Sequence, residues 1–288
     1  MQTPWTLTPF LDRAGETRHD PATVESWWSE PGTREVVVDG SGGFAVPLGR
    51  PTDGQLDPQR HVLLGRDTEG VAWFSSRGEV ADPRSLRDAP DDPGLHEVAT
   101  AAVAILAWHN AARHCERCGA PTTMATGGFH RTCTGCGRDV FPRHDPAMIV
   151  AVLDADDRLL LAHQASWGPG RVSVLAGFLE SGESAEHAVV REVAEEVQVT
   201  ISAARYVASQ AWPFPRSLML GFVARGQGEP VADGVEIEWA HWYRRAEFTA
   251  AVADGSITHP PNNSIASRLI GLWLDGSLPD PDDNPLLA

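Results

Sequence analysis

Gly177-x5-Glu183-x7-Arg191-Glu192-Val193-x-Glu195-Glu196 is the stretch on which the reading of this 288-residue chain turns. Residues 183–197 predict a helix. At about 100° per residue, Val189, Val193, Val197, Val190 and Ala194 share one sector, expected to pack on a sheet, and Glu192, Glu195 and Glu196 fill the neighbouring one. Glu192 and Glu196 are like charges four residues apart, a pairing that costs a helix roughly a few tenths of a kcal/mol unless a cation sits between them. Oxygen-only ligation suits magnesium or manganese better than zinc, and such ions bind nucleotide phosphates jointly with protein carboxylates. The ion would polarise phosphoryl oxygens and acidify a bound water, leaving one glutamate to orient or deprotonate the nucleophile. Taken alone, three clustered glutamates read better as a solvated acidic face with an Arg191–Glu195 pair. The glycine and glutamate upstream tip the balance towards a site.

Outward from this helix the chain alternates strand and helix signals. Apolar runs at 147–153 and 159–162 flank Asp154-Ala155-Asp156-Asp157, a hairpin turn by composition. A further strand is expected at 172–176, and others at 205–210, 217–224 and 236–242. Residues 264–275 predict a last helix capped by Ser264, and 279–288, rich in Pro and Asp, are expected to fray. Before the helix, the four cysteines form two pairs, Cys115-x2-Cys118 and Cys133-x2-Cys136, each followed by a glycine, Gly119 and Gly137. That spacing suits one tetrahedral four-thiolate zinc site on two tight turns, and a redox dithiol or an iron–sulfur cluster are the competing readings. Four thiolates fill the coordination sphere, so zinc here would staple a fold and not perform chemistry. Nucleic-acid or protein binding is the second use for such a ribbon. Further upstream, residues 93–113 read as a connecting helix, and short β-type runs at 35–38 and 61–64 mark a small strand-rich domain.

Downstream of the carboxylate helix, Ser209-Gln210-Ala211-Trp212-Pro213-Phe214-Pro215-Arg216-Ser217 interleaves two aromatics with prolines. Such a rigid loop can stack flat rings, although aromatics at a strand end more often fill a core. Composition bounds the rest. A formal charge of -16 opposes bulk attraction to nucleic acid and to anionic lipid, and every charged base is arginine. No apolar run is long enough to cross a bilayer, and Met1-Gln2-Thr3-Pro4-Trp5 lacks the basic and apolar character of a secretory signal, so a cytoplasmic protein with no membrane partner is expected.

Residues 177–199 resemble the Nudix box, Gly-x5-Glu-x7-Arg-Glu-apolar-x-Glu-Glu-x-Gly-apolar, with Gln198 where the family prefers glycine. The departure bears on the turn after the helix more than on the chemistry. The resemblance implies Glu192 and Glu196 as principal metal ligands and Glu195 as ligand or base. It implies Arg191 and Glu183 as supports of the loop–helix geometry, and the Ala176 carbonyl as a further ligand. The loop is similar to Ser-Gln-Pro-Trp-Pro-Phe-Pro-x-Ser of the NADH pyrophosphatase branch, departing only at Ala211, and Phe141-Pro142-Arg143 is similar to the Tyr-Pro-Arg segment of that branch.

Carried over by position, the resemblance has Gln210, Ala211, Trp212, Pro213, Phe214, Pro215, Arg216 and Ser217 line the substrate site, with Phe141 and Phe178 sandwiching a base. Glu236 matches a further metal-binding glutamate; Arg87 and the backbone of Ala266 match substrate contacts, a solvated surface arginine being the equal alternative for Arg87. The implied fold is α+β: a Nudix α/β/α sandwich with a mixed sheet, preceded by a four-cysteine zinc ribbon and a small strand-rich N-terminal domain. The expected divisions are 1–112, 113–142 and 143–280, with a frayed tail at 281–288. The implied activity is metal-dependent hydrolysis of the diphosphate of NADH or NAD to nicotinamide mononucleotide and AMP, with NAD-capped RNA as a neighbouring substrate. One structural zinc per chain, a catalytic magnesium or manganese, and a homodimer come with it. A broader Nudix pyrophosphatase acting on ADP-ribose or dinucleoside polyphosphates is the enzymatic alternative. A non-catalytic zinc-ribbon interaction protein is disfavoured by the intact carboxylates.

Overall fold

The computed structural model describes residues 8–46, 54–88 and 92–283. The N-terminal pentapeptide and residues 284–288 of the expected tail therefore lie outside the described residues. Two compact units emerge, one of Met1–His144 with Pro213–Arg216, the other of Asp145–Trp212 with Ser217–Ala288. The cysteine segment, expected as a separate domain, is grouped with the N-terminal strands in the first.

In the first unit, helix α1 (Pro21–Ser29) starts on an Asp20 cap with proline at its first position. Strands β1 (Arg34–Val38), β2 (Phe44–Ala45), β3 (Val62–Arg66) and β4 (Ala72–Arg77) form a sheet in the order β2-β1-β4-β3. Alternation splits this sheet between two cores. Val36, Val38, Val62 and Trp73 face Val98, Ala102 and Leu106 of α2 (Pro93–Ala111), while Leu63, Ala72 and Phe74 face Val24 and Trp28 of α1. A three-stranded antiparallel ribbon follows, made of β5 (Thr122–Met124), β6 (Arg131–Cys133) and β7 (Asp139–Val140).

The second unit is built on a six-stranded mixed sheet. Its strands are β8 (Asp145–Leu153), β9 (Leu159–Gln164), β10 (Leu175–Phe178), β11 (Thr200–Trp212), β12 (Ser217–Gln227) and β13 (Ile237–Tyr243), in the order β11-β12-β8-β9-β13 with β10 added on β8. Only β8 and β12 run parallel. Met148, Val150 and Val152 of β8 face helix α3 (Ala185–Val197), whereas Ile149, Ala151 and Leu153 face α4 (Arg245–Ala253) and α5 (Ile265–Leu274). This is an α/β/α sandwich with a mixed sheet, preceded by clustered cysteines. The β8 run is apolar throughout because both faces are covered.

Several expectations shift. Val190 and Ala194 do not pack on the sheet: Val190 is 44% exposed, and Ala188 lies in the core with Val189, Val193 and Val197. The buried stripe is rotated by part of a turn, which carries Glu196 inwards to 4% exposure. The strand expected at 172–176 begins at Leu175; Ser173 makes only an isolated bridge to Ala162, and the Val172 N–H goes instead to the Thr258 carbonyl at 2.9 Å. The start of the tail is tied down rather than frayed. Arg225 pairs with Asp280 and Asp282, Arg205 with Asp283, and Pro281 is buried.

Candidate active site

The loop between β10 and α3 is folded around a single guanidinium. Arg191 grips both oxygens of Glu183 at 2.8 Å, donates to the Phe178 carbonyl at 2.9 Å, and reaches Glu192 at 2.9 Å and Glu195 at 3.1 Å. Glu183 also accepts from the Glu180 N–H at 2.9 Å. The bidentate Arg191 contact comes first among the causes holding the Glu183 carboxyl down at about 2. Glu183 and Arg191 thus brace the loop against the helix, and Ser184 caps α3 by accepting from the His187 N–H.

Glu192 occupies a hollow that only glycine leaves open. A Cβ on Gly177 of β10 would overlap the Glu192 carboxylate. The carboxylate therefore lies directly against the strand, beside Ala176, which is half-buried and paired with Ile149 of β8.

Glu196 is the anomaly. It is buried, and its Oε2 has no hydrogen-bond partner. Burial first, and then the charges of Glu192, Glu236, Asp233 and Glu195, push its carboxyl up to about 8. Glu236 stands exposed just before β13, in a turn fixed by Asp233, whose carboxylate accepts from the N–H groups of Val235, Glu236 and Ile237. The Asp233 N–H in turn donates to the Glu196 carbonyl at 2.9 Å. Sequence reading missed Asp233, although Asp233-Gly234 is a turn signal.

The orphaned Glu196 oxygen and the three neighbouring glutamates, Glu192, Glu195 and Glu236, form a donor set suited to a hard divalent cation, which would satisfy Glu196 and offset the mutual repulsion. The protein alone does not close this set. Among the described residues the four cysteines are the group whose ligand atoms all lie within 4.8 Å of one another; the carboxylates are not so gathered. Arg191 draws Glu192 and Glu195 to itself instead. The cysteine cluster pairs two buried sulfurs, Cys115 and Cys133, with two exposed ones, Cys118 and Cys136. Backbone N–H groups of Gly135 and Cys136 donate to the Cys133 sulfur, and backbone donors hold that thiol down at about 6, in keeping with a thiolate metal site.

The remaining sequence candidates divide by surroundings. Gln210 is buried, its amide N–H donating to the Asn263 carbonyl at 2.9 Å and its amide oxygen accepting from the Ile265 N–H at 2.7 Å. It therefore pins the start of α5. Ser264 takes the Ser267 N–H, so the first-turn N–H of Ala266 is left without an intrahelical acceptor. Trp212 and Ser217, the latter buried, close the β11–β12 ladder, and Ala211 is exposed beside them. Pro213, Phe214, Pro215 and Arg216 belong to the first unit. There Phe214 packs against the α2 core, with the Arg87 guanidinium 5.1 Å from its ring centroid. Phe178 in the second unit is 57% exposed and Phe141 in the first is 42% exposed.

The NUDIX domain model matches residues 142–260. A curated relative from Mycobacterium tuberculosis (strain H37Rv), named NAD-capped RNA hydrolase NudC, is 38% identical over 91% of this chain and 92% of its own length. One of the same name from Klebsiella pneumoniae is 33% identical over 85% of this chain and 91% of its own. A solved NUDIX hydrolase from Nitrosomonas europaea covers 47% of this chain and 79% of its own, at 19% identity and a TM-score of 0.40. With its box glycine cradling Glu192 and near-full-length curated relatives of one name, the chain belongs to the Nudix hydrolase family, in the NADH pyrophosphatase branch that holds the NudC proteins.

Proposed function

We propose that this protein hydrolyses the diphosphate of NADH or NAD to nicotinamide mononucleotide and AMP, and removes the same dinucleotide cap from RNA. The observation that carries the reading is Glu196: a buried carboxylate with an unpartnered oxygen, crowded by Glu192, Glu195 and Glu236, in a relative of proteins named NAD-capped RNA hydrolases. Such a group is ionised near neutral pH only with a cation beside it, and a divalent ion held there would be placed to take the oxygens of a diphosphate. Magnesium or manganese held by Glu192, Glu196, Glu236 and the Ala176 carbonyl would polarise the phosphoryl oxygens and acidify the attacking water.

The chain's own groups supply the rest. Glu195, held through one oxygen by Arg191, is assigned to orient the water and take its proton as the new P–O bond forms. The P–O bond to the bridging oxygen breaks, and the leaving mononucleotide departs as a phosphate. Arg191 and Glu183 keep the loop and helix in register throughout. Phe178 in the second unit and Phe141 in the first, each a large exposed ring, are each assigned to stacking on a base, and the Ala266 N–H to the substrate. The four cysteines are assigned one structural zinc per chain, by thiolate preference. We place the protein in the cytoplasm as a homodimer; no helix of the described residues is long and apolar enough to cross a membrane.

Turnover of NADH with added magnesium or manganese tests the reading. Nicotinamide mononucleotide and AMP should appear, chelation should stop them, and kcat/KM should exceed that for ADP-ribose. No cleavage of NADH with either metal would sink it.

A further inference from the structure

Charge is distributed unevenly along this chain. Residues 113–144 hold five arginines against only Glu116 and Asp139, while the whole chain carries -16. A divalent ion on four thiolates returns two negative charges to that segment, but two of the sulfurs are buried. The guanidiniums of Arg117, Arg138 and Arg143 are at the surface. Arg138 and Arg143 share one carboxylate, Glu116, at 3.6 and 3.5 Å. One negative charge thus stands against two positive ones, and Arg117 has no ion-pair partner among the described residues. Loose, exposed pairs of this kind are weak, so an incoming phosphate displaces them at little cost.

An open ring accompanies the cations. Phe141 lies between Arg138 and Arg143 in sequence and is 42% exposed. His130 backs it with ring centroids 5.3 Å apart and planes 30° apart, and Phe129 meets it edge-on at 6.0 Å. Asp139 holds His130 at 3.5 Å, and the Arg18 guanidinium covers Phe129 at 3.3 Å from its centroid. A ring buttressed by its neighbours, with exposed arginines two and three residues away in the chain, has the composition by which single-stranded nucleic acid is bound without sequence preference. The acidic remainder of the chain would repel a polyanion and confine it to this patch.

We infer that Arg117, Arg138 and Arg143 bind the backbone phosphates of the RNA chain that follows a dinucleotide cap, the capped end stacking on Phe141. The inference rests on the capped-RNA reading above. It also separates the two substrates, because free NADH has no phosphates beyond its own diphosphate and has no use for these arginines.

The test compares native protein with the triple variant Arg117→Gln/Arg138→Gln/Arg143→Gln and its charge-keeping Lys counterpart. Each is assayed by kcat/KM on NADH and on a short single-stranded RNA with a 5′ NAD cap, across a potassium chloride series. The Gln variant should lose about tenfold or more on capped RNA at low salt, with its log–log salt slope flattened by about 2, or about 0.7 per lost phosphate contact. Its rate on NADH should stay at the native level, and the Lys variant should keep the native slope. Unchanged capped-RNA turnover and slope would overturn the inference, and so would an equal loss on both substrates, which would assign the arginines to folding or chemistry. If native protein fails to cleave NADH, the functional reading falls instead. Fluorescence anisotropy with the same RNA then decides: weaker binding by the Gln variant upholds the patch, and equal binding removes it.

Discussion

The Glu192 carboxylate occupies the space that a side chain on Gly177 would fill. Helix and strand approach so closely there that one methyl group cannot be accommodated without moving the carboxylate. Gly177→Ala should therefore leave the core packing of α3 nearly untouched while pushing Glu192 out of place. Displacements of about 1 Å at a reacting centre cost on the order of a hundredfold in rate. A fall of that size in kcat, with a melting temperature close to native, is the expected outcome. A variant with native kcat would remove Glu192 from the site.

Glu196 makes the opposite trade between stability and activity. Buried beside like charges with an unpartnered oxygen, it opposes folding when no cation is present. Glu196→Gln should raise the melting temperature of metal-free protein. It should also shrink the further rise that magnesium or manganese gives the native chain, and lower kcat by about a hundredfold or more. Thermal melts with and without the ion, beside NADH turnover, read all three. A variant destabilised without metal would mean that the carboxylate is held by something other than a cation.

Much of this was legible in the residues, and the misses have physical causes. The box spacing singled out Glu183, Arg191 and the three glutamates, and a helix of period 3.6 sets Arg191, Glu192, Glu195 and Glu196 on neighbouring faces while Glu183 stays in the loop before it. It did not reveal that Glu196 is buried. Val190 and Ala194 look as apolar as Val189 and Val193, and only the sheet beneath decides that Ala188 packs inwards while Val190 stays exposed. Gln210 was legible as part of a motif but not as the clamp on α5, since its partners lie at Asn263 and Ile265. Helix α1 was passed over despite the local signal of Asp20 followed by Pro21.

Gln198, the one departure from the box, still adopts the left-handed conformation that glycine would take, with φ at 57°, and its N–H caps the helix on the Ala194 carbonyl. The turn is kept and the strain of a side chain at positive φ is accepted, at roughly 1 kcal/mol. Part of that is offset because glycine would add freedom to the unfolded chain. Gln198→Gly should therefore stabilise the second unit by about 0.5 kcal/mol, with kcat on NADH unchanged. Denaturant melts measure the first and steady-state assays the second. A clear loss of stability would show that the Gln198 side chain contributes contacts that outweigh its backbone strain.

His109 ties helix α2 to the ribbon, and its protonation state sets how firmly. Its Nε2 lies 2.7 Å from the Gly128 carbonyl and its Nδ1 3.2 Å from the Arg131 guanidinium, so the ring must donate through Nε2 and accept through Nδ1. Only the neutral ring does both. Burial first, and then the charge of Arg131, lower its pKa to about 4, from 6.5 in an unstructured chain. Between those values the unfolded state binds more protons than the folded one, so stability rises with pH across that window. The contribution is complete above about 6.5 and lost as pH falls towards 4, with a ceiling of about 3 kcal/mol. Thiolate protonation weakens metal binding over the same range, so the discriminating measurement is a difference. His109→Gln can make both hydrogen bonds without titrating, and its stability should fall less steeply than native between pH 6.5 and 4. Parallel pH profiles for the two proteins would show that His109 is not the group whose protonation loosens the ribbon.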